Sequence, residues 1–127
     1  MYLNRFVLPL SPKQPVPARR SIYFDFDSSL IRDTDRPLIV THARYLAGRP
    51  SAMVGIEGNT DQRGKREYKL ALGQKRAVAV PKSMRLLGVP VGEMEAVSLG
   101  GEKPIDTAHD EAAWAKNRRA DRNYIKR

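Results

Sequence analysis

An arginine interrupts the apolar face of the longest helix that the sequence predicts, and this position constrains the fold strongly. Residues 65–87 are predicted to be helical, with an apolar stripe of residues four positions apart, Tyr68, Leu72, Arg76 and Val80. Burial of an unpaired guanidinium costs several kcal/mol, so Arg76 needs a carboxylate nearby. Asp61, in the loop just before the helix, is the clearest candidate.

Two interpretations of Asp61 and Arg76 are open at the level of the residues. In the first, the two side chains form a buried structural ion pair, which is the commoner arrangement inside proteins. In the second, they do not saturate each other and together hold a zwitterion. The Asp61 carboxylate would then take the ligand ammonium, and the Arg76 guanidinium would bind the ligand carboxylate through two parallel hydrogen bonds.

The residue pattern predicts alternating strands and helices. Apolar or β-rich runs predict strands at 21–26, 52–57, 95–99 and 120–125. Caps and periodicity predict helices from 33 or 34 to 47, from 65 to 87 and from 109 to 116. Pro37 falls in the first turn of the first helix, and Asp110 is the predicted cap of the third. Pro81 lies inside the second helix, so we expect a kink or break near Val80.

Four blocks of the sequence occur in this order: IYFDFDSSLI from Ile22, IEGNTDQRG from Ile56, EYKLALGQKRAVAV from Glu67 and GGEKPIDTAHDEAAWAKNRRA from Gly100. Together they resemble the OmpA-like peptidoglycan-binding domain, most closely the version in the peptidoglycan-associated lipoproteins of Gram-negative outer membranes. The resemblance covers residues 20–125. It implies the fold that the strand and helix order also indicates, an α/β (α+β) sandwich of order β-α-β-α-β-α-β with helices packed on one mixed sheet.

The resemblance also implies roles for particular residues. Asp61 and Arg76 match the family's acid and arginine that hold the meso-diaminopimelate of the peptidoglycan stem peptide, a ligand end that is a zwitterion. The further residues that the resemblance places at the peptidoglycan-binding pocket are Asp25, Phe26, Thr60, Lys69 and Arg118. Three positions depart from the family pattern: Asn59 stands where histidine is usual, Lys69 stands where asparagine is usual, and Pro81 lies inside the second helix. The implied function is to tether the outer membrane or an envelope complex to the cell wall.

A scaffold with a degenerate pocket is the main alternative, because the Lys69 charge could crowd the ligand ammonium and weaken binding. Such a scaffold would bind a protein partner or a polyanion, and the family has a periplasmic protein partner, TolB. The formal net charge of +9 and a basic C-terminal cluster also fit a polyanion. Nucleic acid is not expected, since the usual single-strand and groove-reading motifs are missing from the sequence.

Asp25 and Asp27 allow a remote enzymatic interpretation. Haloacid-dehalogenase phosphatases begin with two aspartates at this spacing after an apolar strand, and hold magnesium between them. Ser28 and Ser29 stand where that family has Gly-Thr, and the chain is short for that fold. The only two histidines lie far apart in the sequence, with no acid cluster beside either. We therefore expect a binding domain rather than an enzyme, with no cofactor and no metal.

Length and composition predict one small domain. The 127 residues suffice for one core. The sequence has no cysteine, so it offers no lipid-bearing cysteine, and we expect any membrane anchor to lie outside this chain. Residues 1–19 hold four prolines and are predicted to be an extended linker, followed by the domain at 20–127. No convincing signal peptide is present, so the expected location, the periplasm in association with the outer membrane, comes from the resemblance.

Overall fold

The structure is a computed structural model that describes residues 8–11, 13–49, 52–89 and 94–126. Its strands and helices are β1 Ser21–Tyr23, α1 Arg36–Ala47, β2 Met53–Asn59, α2 Arg66–Leu86, β3 Met94–Gly100, α3 Glu111–Asn117 and β4 Arg119–Lys126. A 3-10 turn, Asp33–Asp35, leads into α1. The predicted β-α-β-α-β-α-β order is confirmed.

The four strands form one open mixed sheet in the order β1-β4-β2-β3. Strand β4 runs antiparallel to both of its neighbours, whereas β2 and β3 are parallel and are connected by α2. This architecture confirms the predicted helices on a single mixed sheet. Although polar in sequence, β4 is a central strand, and its residues Arg119, Ala120 and Arg122 are buried.

Helix α2 packs very closely on β2 and β3, and the core lies between the helices and the sheet. At Gly73 an added Cβ would collide with the Ser98 hydroxyl and come close to the Gly58 carbonyl oxygen, so backbone approaches backbone at this crossing. The residues of α2 buried against the sheet are Leu72, Gly73, Arg76, Ala77, Val80 and Met84. Because β2 ends at Asn59, this packing brings Arg76 beside the loop that contains Asp61.

Three details differ from the sequence prediction. Strand β1 ends at Tyr23, three residues early, and the next residue, Phe24, donates its backbone N–H to the Arg118 carbonyl oxygen at 2.9 Å. The N-cap position of α1 is held by Asp35 rather than by residue 33 or 34. The Asp35 side chain makes no capping hydrogen bond, because its carboxylate accepts the Tyr23 N–H at 2.9 Å. Helix α2 continues through Pro81, so a break there is wrong, whereas the expected kink stays a prediction. Burial of α2 residues on both sides of Pro81 holds this helix together.

Other details follow the prediction. Pro37 lies at the start of α1. Asp110 caps α3, since its carboxylate accepts the Ala113 N–H at 2.8 Å. Among the described residues, no helix combines the length and the hydropathy that a membrane crossing requires.

Part of the predicted linker contacts the domain. The Leu10 backbone N–H donates to the Arg44 carbonyl oxygen at 3.0 Å, and its side chain packs against the core. Residues 1–7 and 12 of the linker lie outside the described residues. The boundary between linker and domain at residue 20 stays a prediction.

Candidate functional site

A cavity of about 150 Å³ lies where the β1–α1 loop, the end of β2 and the first turns of α2 meet. The residues that line it are Phe26, Asp27, Thr60, Asp61, Arg63, Gly64, Tyr68, Leu72 and Arg76. Four of the predicted pocket residues therefore share one cavity: Phe26, Thr60, Asp61 and Arg76. The volume is below the roughly 300 to 1,000 Å³ of sites that enclose drug-sized ligands, so the cavity fits the end of one side chain.

Arg76 is fully buried and connects two loops. Its Nε donates to the Ser28 carbonyl oxygen at 2.8 Å, its Nη1 to that of Asn59 at 3.0 Å, and its Nη2 to that of Asp25 at 3.1 Å. These bonds use three of the five guanidinium donors and leave two. Burial, followed by the nearby Arg118 charge, lowers the pKa of Arg76 to about 10, so the side chain remains a cation at neutral pH.

The Asp61 carboxylate is bound by two other arginines. Arg63 donates its backbone N–H to Oδ1 at 3.0 Å, its Nε to Oδ1 at 3.1 Å and its Nη2 to Oδ2 at 2.8 Å. The Arg118 Nη1 lies 3.6 Å from Oδ2. The first interpretation, a structural ion pair between Asp61 and Arg76, is therefore wrong, because Arg76 bonds to three backbone carbonyls and Arg63 occupies the Asp61 carboxylate. Burial raises the pKa of Asp61, but the Arg63 hydrogen bonds and charge outweigh it, so the net pKa lies below its usual value.

Arg118 is buried behind Asp61 and does not line the cavity. Its Nε donates to the Phe24 carbonyl oxygen at 3.0 Å, and its Nη2 to Glu111 Oε2 at 2.8 Å. With its contact to Asp61, Arg118 links the acid of the cavity to Phe24, the residue after β1, and to α3. Its predicted place at the pocket and the ligand roles of the cavity residues stay predictions.

Asp25 and Lys69 point away from the cavity. The Asp25 carboxylate is largely exposed, 3.7 Å from Arg32, and only its carbonyl oxygen meets Arg76. The Lys69 Nζ donates to the Gln62 carbonyl oxygen at 3.3 Å and lines a neighbouring hollow with Arg66 and other residues. Asn59, the other departure from the family pattern, is buried and donates to the Glu57 carbonyl oxygen at 3.0 Å.

Five residues of the cavity were not among the predicted pocket residues: Asp27, Arg63, Gly64, Tyr68 and Leu72. The Tyr68 hydroxyl donates to the Asp27 carboxylate, and this hydrogen bond raises the pKa of Tyr68. Asp27 has a φ of 53°, a left-handed conformation that aspartate tolerates better than most residues. The Arg63 guanidinium lies over the rings of Phe26 and Trp114. Tyr68 could have been found, since it shares the stripe of Arg76, whereas no periodicity orients a loop residue such as Arg63.

The site combines an anion, Asp61, with a buried cation, Arg76, beside an apolar wall. Among the described residues, no group of three or more metal-ligating acids and histidines occurs. Asp25 and Asp27 face different partners, Arg32 and Tyr68, rather than a common point. The arrangement therefore favours recognition of a small group that carries both charges.

Comparison with known proteins identifies the family. The model of the OmpA family matches residues 23–118, and the chain belongs to that family. The peptidoglycan-associated lipoprotein of Pseudomonas aeruginosa is 42% identical over 112 residues, which cover 88% of this chain and 66% of that protein. The protein of the same name from Haemophilus influenzae is 48% identical over 100 residues, covering 79% of this chain and 65% of that protein. This chain thus spans about two thirds of these relatives.

A solved structure agrees with both the family and the fold. The crystal structure of the peptidoglycan-associated lipoprotein from Burkholderia pseudomallei matches with a TM-score of 0.83 at 57% identity, and the match covers 84% of this chain and 91% of that chain. The family resemblance predicted from the four sequence blocks is confirmed. The chain is a non-enzymatic domain, and the haloacid-dehalogenase interpretation is not favoured.

Proposed function

We propose that this domain binds peptidoglycan non-covalently through a diaminopimelate-containing stem peptide and tethers the outer membrane or an envelope complex to the cell wall. One observation carries the proposal: Asp61 and Arg76 line a single small cavity in a chain of the OmpA family. The relatives that support it are named peptidoglycan-associated lipoproteins. Their name also supports a location in the periplasm at the outer membrane.

The free end of diaminopimelate has an ammonium and a carboxylate on one carbon, and the cavity offers one partner to each. In the proposal, Asp61 accepts from the ammonium, and the two remaining donors of Arg76 bind the carboxylate. Phe26 covers the aliphatic chain, and Thr60 borders the charged end. A stem peptide with lysine instead lacks this second carboxylate, so Arg76 would distinguish the two.

The other predicted residues act less directly in this proposal. Asp25 contributes through its backbone, and Arg118 fixes the carboxylate of Asp61. Lys69 meets another carboxylate of the stem peptide from the neighbouring hollow. The Lys69 ammonium is bound to the Gln62 carbonyl oxygen and does not line the cavity, which argues against the alternative in which its charge crowds the ligand ammonium. A periplasmic protein partner such as TolB rests on the family resemblance alone.

Binding to isolated peptidoglycan tests the proposal. We expect Asp61→Ala and Arg76→Ala each to abolish co-sedimentation of the domain with sacculi that contain diaminopimelate, because each removes one half of the zwitterion site. Lys82→Ala, which removes an exposed positive charge from α2 as Arg76→Ala removes a buried one, is the matched control and should sediment like the wild type. Sedimentation of a folded Asp61→Ala variant at the wild-type level would contradict the proposal.

A further inference from the structure

The Asp61 carboxylate already holds a cation of this chain. A carboxylate offers about four lone-pair sites. The backbone N–H, Nε and Nη2 of Arg63 take up three of them, at 3.0, 3.1 and 2.8 Å. The Arg118 Nη1 lies a further 3.6 Å from Oδ2. An incoming ammonium has three N–H donors and finds at most one free acceptor site here.

Arg63 is also held by two aromatic rings. The centre of its guanidinium lies 4.5 Å from the centroid of Phe26 and 4.0 Å from that of Trp114, both within the range of cation–π attraction. Phe26 is itself a wall of the cavity and is 60% exposed. Arg63 thus stands inside the cavity, in the place where the ligand ammonium should bind.

Charge makes simultaneous occupation by two cations unfavourable. Arg63 and Arg118 both contact Asp61, and Arg76 lines the same cavity, so the carboxylate is already surrounded by positive charge. An ammonium added to this set would be repelled, whereas one that replaces the Arg63 guanidinium leaves the charge at Asp61 unchanged. Glu111, whose charge also acts on Arg63, gives the displaced side chain a second acid nearby.

We propose that Arg63 is a specificity-determining residue: in the free domain its guanidinium occupies the ammonium position at Asp61, and a ligand amine binds only by displacing it. The inference rests on the proposed function of the cavity. A simple amine gains only the contact with Asp61, and this single contact must offset the loss of the Arg63 contacts. A zwitterion gains the Arg76 interaction at the same time, so Arg63 favours zwitterionic ligands over simple amines.

Arg63→Gln tests this role, with Arg85→Gln, an exposed charge change in the last turn of α2, as the matched control. Folding should persist, because the backbone N–H of residue 63 and Arg118 remain at Asp61. Calorimetry would compare a diaminopimelate muropeptide with the same peptide acetylated on its side-chain amine. Arg63→Gln should tighten binding of the free amine about tenfold, the weight of one charge-assisted contact. The acetylated peptide should gain nothing, and Arg85→Gln should stay within about twofold of the wild type.

The Trp114 indole gives a second readout. In the wild type its resonances should shift when the muropeptide binds, because Arg63 leaves the ring, and in Arg63→Gln this shift should be largely lost. Tenfold weaker or unchanged binding in Arg63→Gln, with binding retained in the wild type, would overturn the inference and leave the proposed function intact. Absence of binding in both proteins would overturn the proposed function and the inference with it.

Discussion

In the proposed function, Arg76 combines a structural and a ligand-binding task in one side chain, and its donors divide between them. Three N–H groups hold the backbone of Asp25, Ser28 and Asn59, so the two loops that frame the cavity depend on Arg76. Two donors remain for a carboxylate. Lysine could not do both, because an ammonium has only three donors on one atom and no planar fork.

Arg76→Ala should therefore destabilise the domain as well as abolish binding. We expect the free energy of unfolding to fall by about 3 to 5 kcal/mol, since three bonds from a buried cation are lost together. Urea denaturation would measure the change, and Lys75→Ala on the exposed side of α2 should stay within about 0.5 kcal/mol of the wild type. A loss below about 1 kcal/mol for Arg76→Ala would show that these carbonyl contacts contribute little.

The sequence predicted Asp61, Lys69 and Arg76 as site residues, but it did not predict the contacts that they make. Burial of Arg76 followed from its place on an apolar stripe, because helical periodicity orients side chains. The partner of Asp61 did not follow, since Arg63 lies two residues away on an irregular loop where sequence distance says nothing about direction. The direction of the Lys69 side chain could not be predicted either, because it depends on a hydrogen bond to the carbonyl group of Gln62, a loop residue.

At the scale of elements, His42 connects α1 to β4. One ring nitrogen hydrogen-bonds the Tyr124 hydroxyl, and Nε2 lies 2.7 Å from the Arg19 carbonyl oxygen. Burial, together with the charge of Arg122, lowers the pKa of His42 from 6.5 to about 4. The folded domain therefore holds this imidazole neutral where the unfolded chain protonates it.

This histidine should make the domain less stable in mild acid. Below pH 6.5 the unfolded chain takes up a proton that the folded domain refuses until about pH 4, so the free energy of unfolding falls through this window. From pH 7 to pH 5 the His42 contribution should be about 2 kcal/mol. Thermal unfolding of His42→Gln should show a correspondingly flatter pH dependence. The change at the exposed histidine, His109→Gln, is the control, and equal slopes in the two variants would refute the assignment.

Also at the scale of elements, the close approach of α2 to the sheet positions the site. Gly73 and Gly58 let the two backbones touch, and a methyl group at Gly73 would strike Ser98. Since Arg76 lies one turn after Gly73 and Asp61 three residues after Gly58, this crossing sets the distance between the two charges.

Gly73→Ala should push α2 away from β2 and β3. We expect a destabilisation of about 1 to 3 kcal/mol and weaker muropeptide binding, because overpacking shifts the backbone that positions Arg76. Calorimetry and urea unfolding would measure both effects. Gln74→Ala, a change at the next residue of α2, is the control, since this side chain is exposed. Wild-type affinity in Gly73→Ala would mean that the crossing does not set the site geometry.

For the whole molecule, sequence patterns predicted every α-helix and strand in the described part of the chain, whereas packing decided where several of them end. Strand β4 formed despite its charges, because a central position in the sheet outweighs polar composition. Helix α2 continues through Pro81 because residues buried in the core, Val80 and Met84, lie on both sides of the proline. Both outcomes depend on tertiary contacts that single-sequence patterns do not contain.

The net charge of +9 also acts at this scale. Peptidoglycan is rich in carboxylates, so in the proposed function a basic surface raises the rate of encounter with the wall without selecting a particular stem peptide. The proposal therefore assigns selection to the cavity, where single charges have defined partners.

The most direct test is a chemical-shift titration of the isotope-labelled domain with a diaminopimelate-containing muropeptide, beside the lysine analogue that lacks the second carboxylate. The account predicts saturable shifts around Asp61 and Arg76 with the diaminopimelate ligand and far weaker ones with the lysine ligand. Equal shifts with both ligands, or none at these two residues, would contradict it.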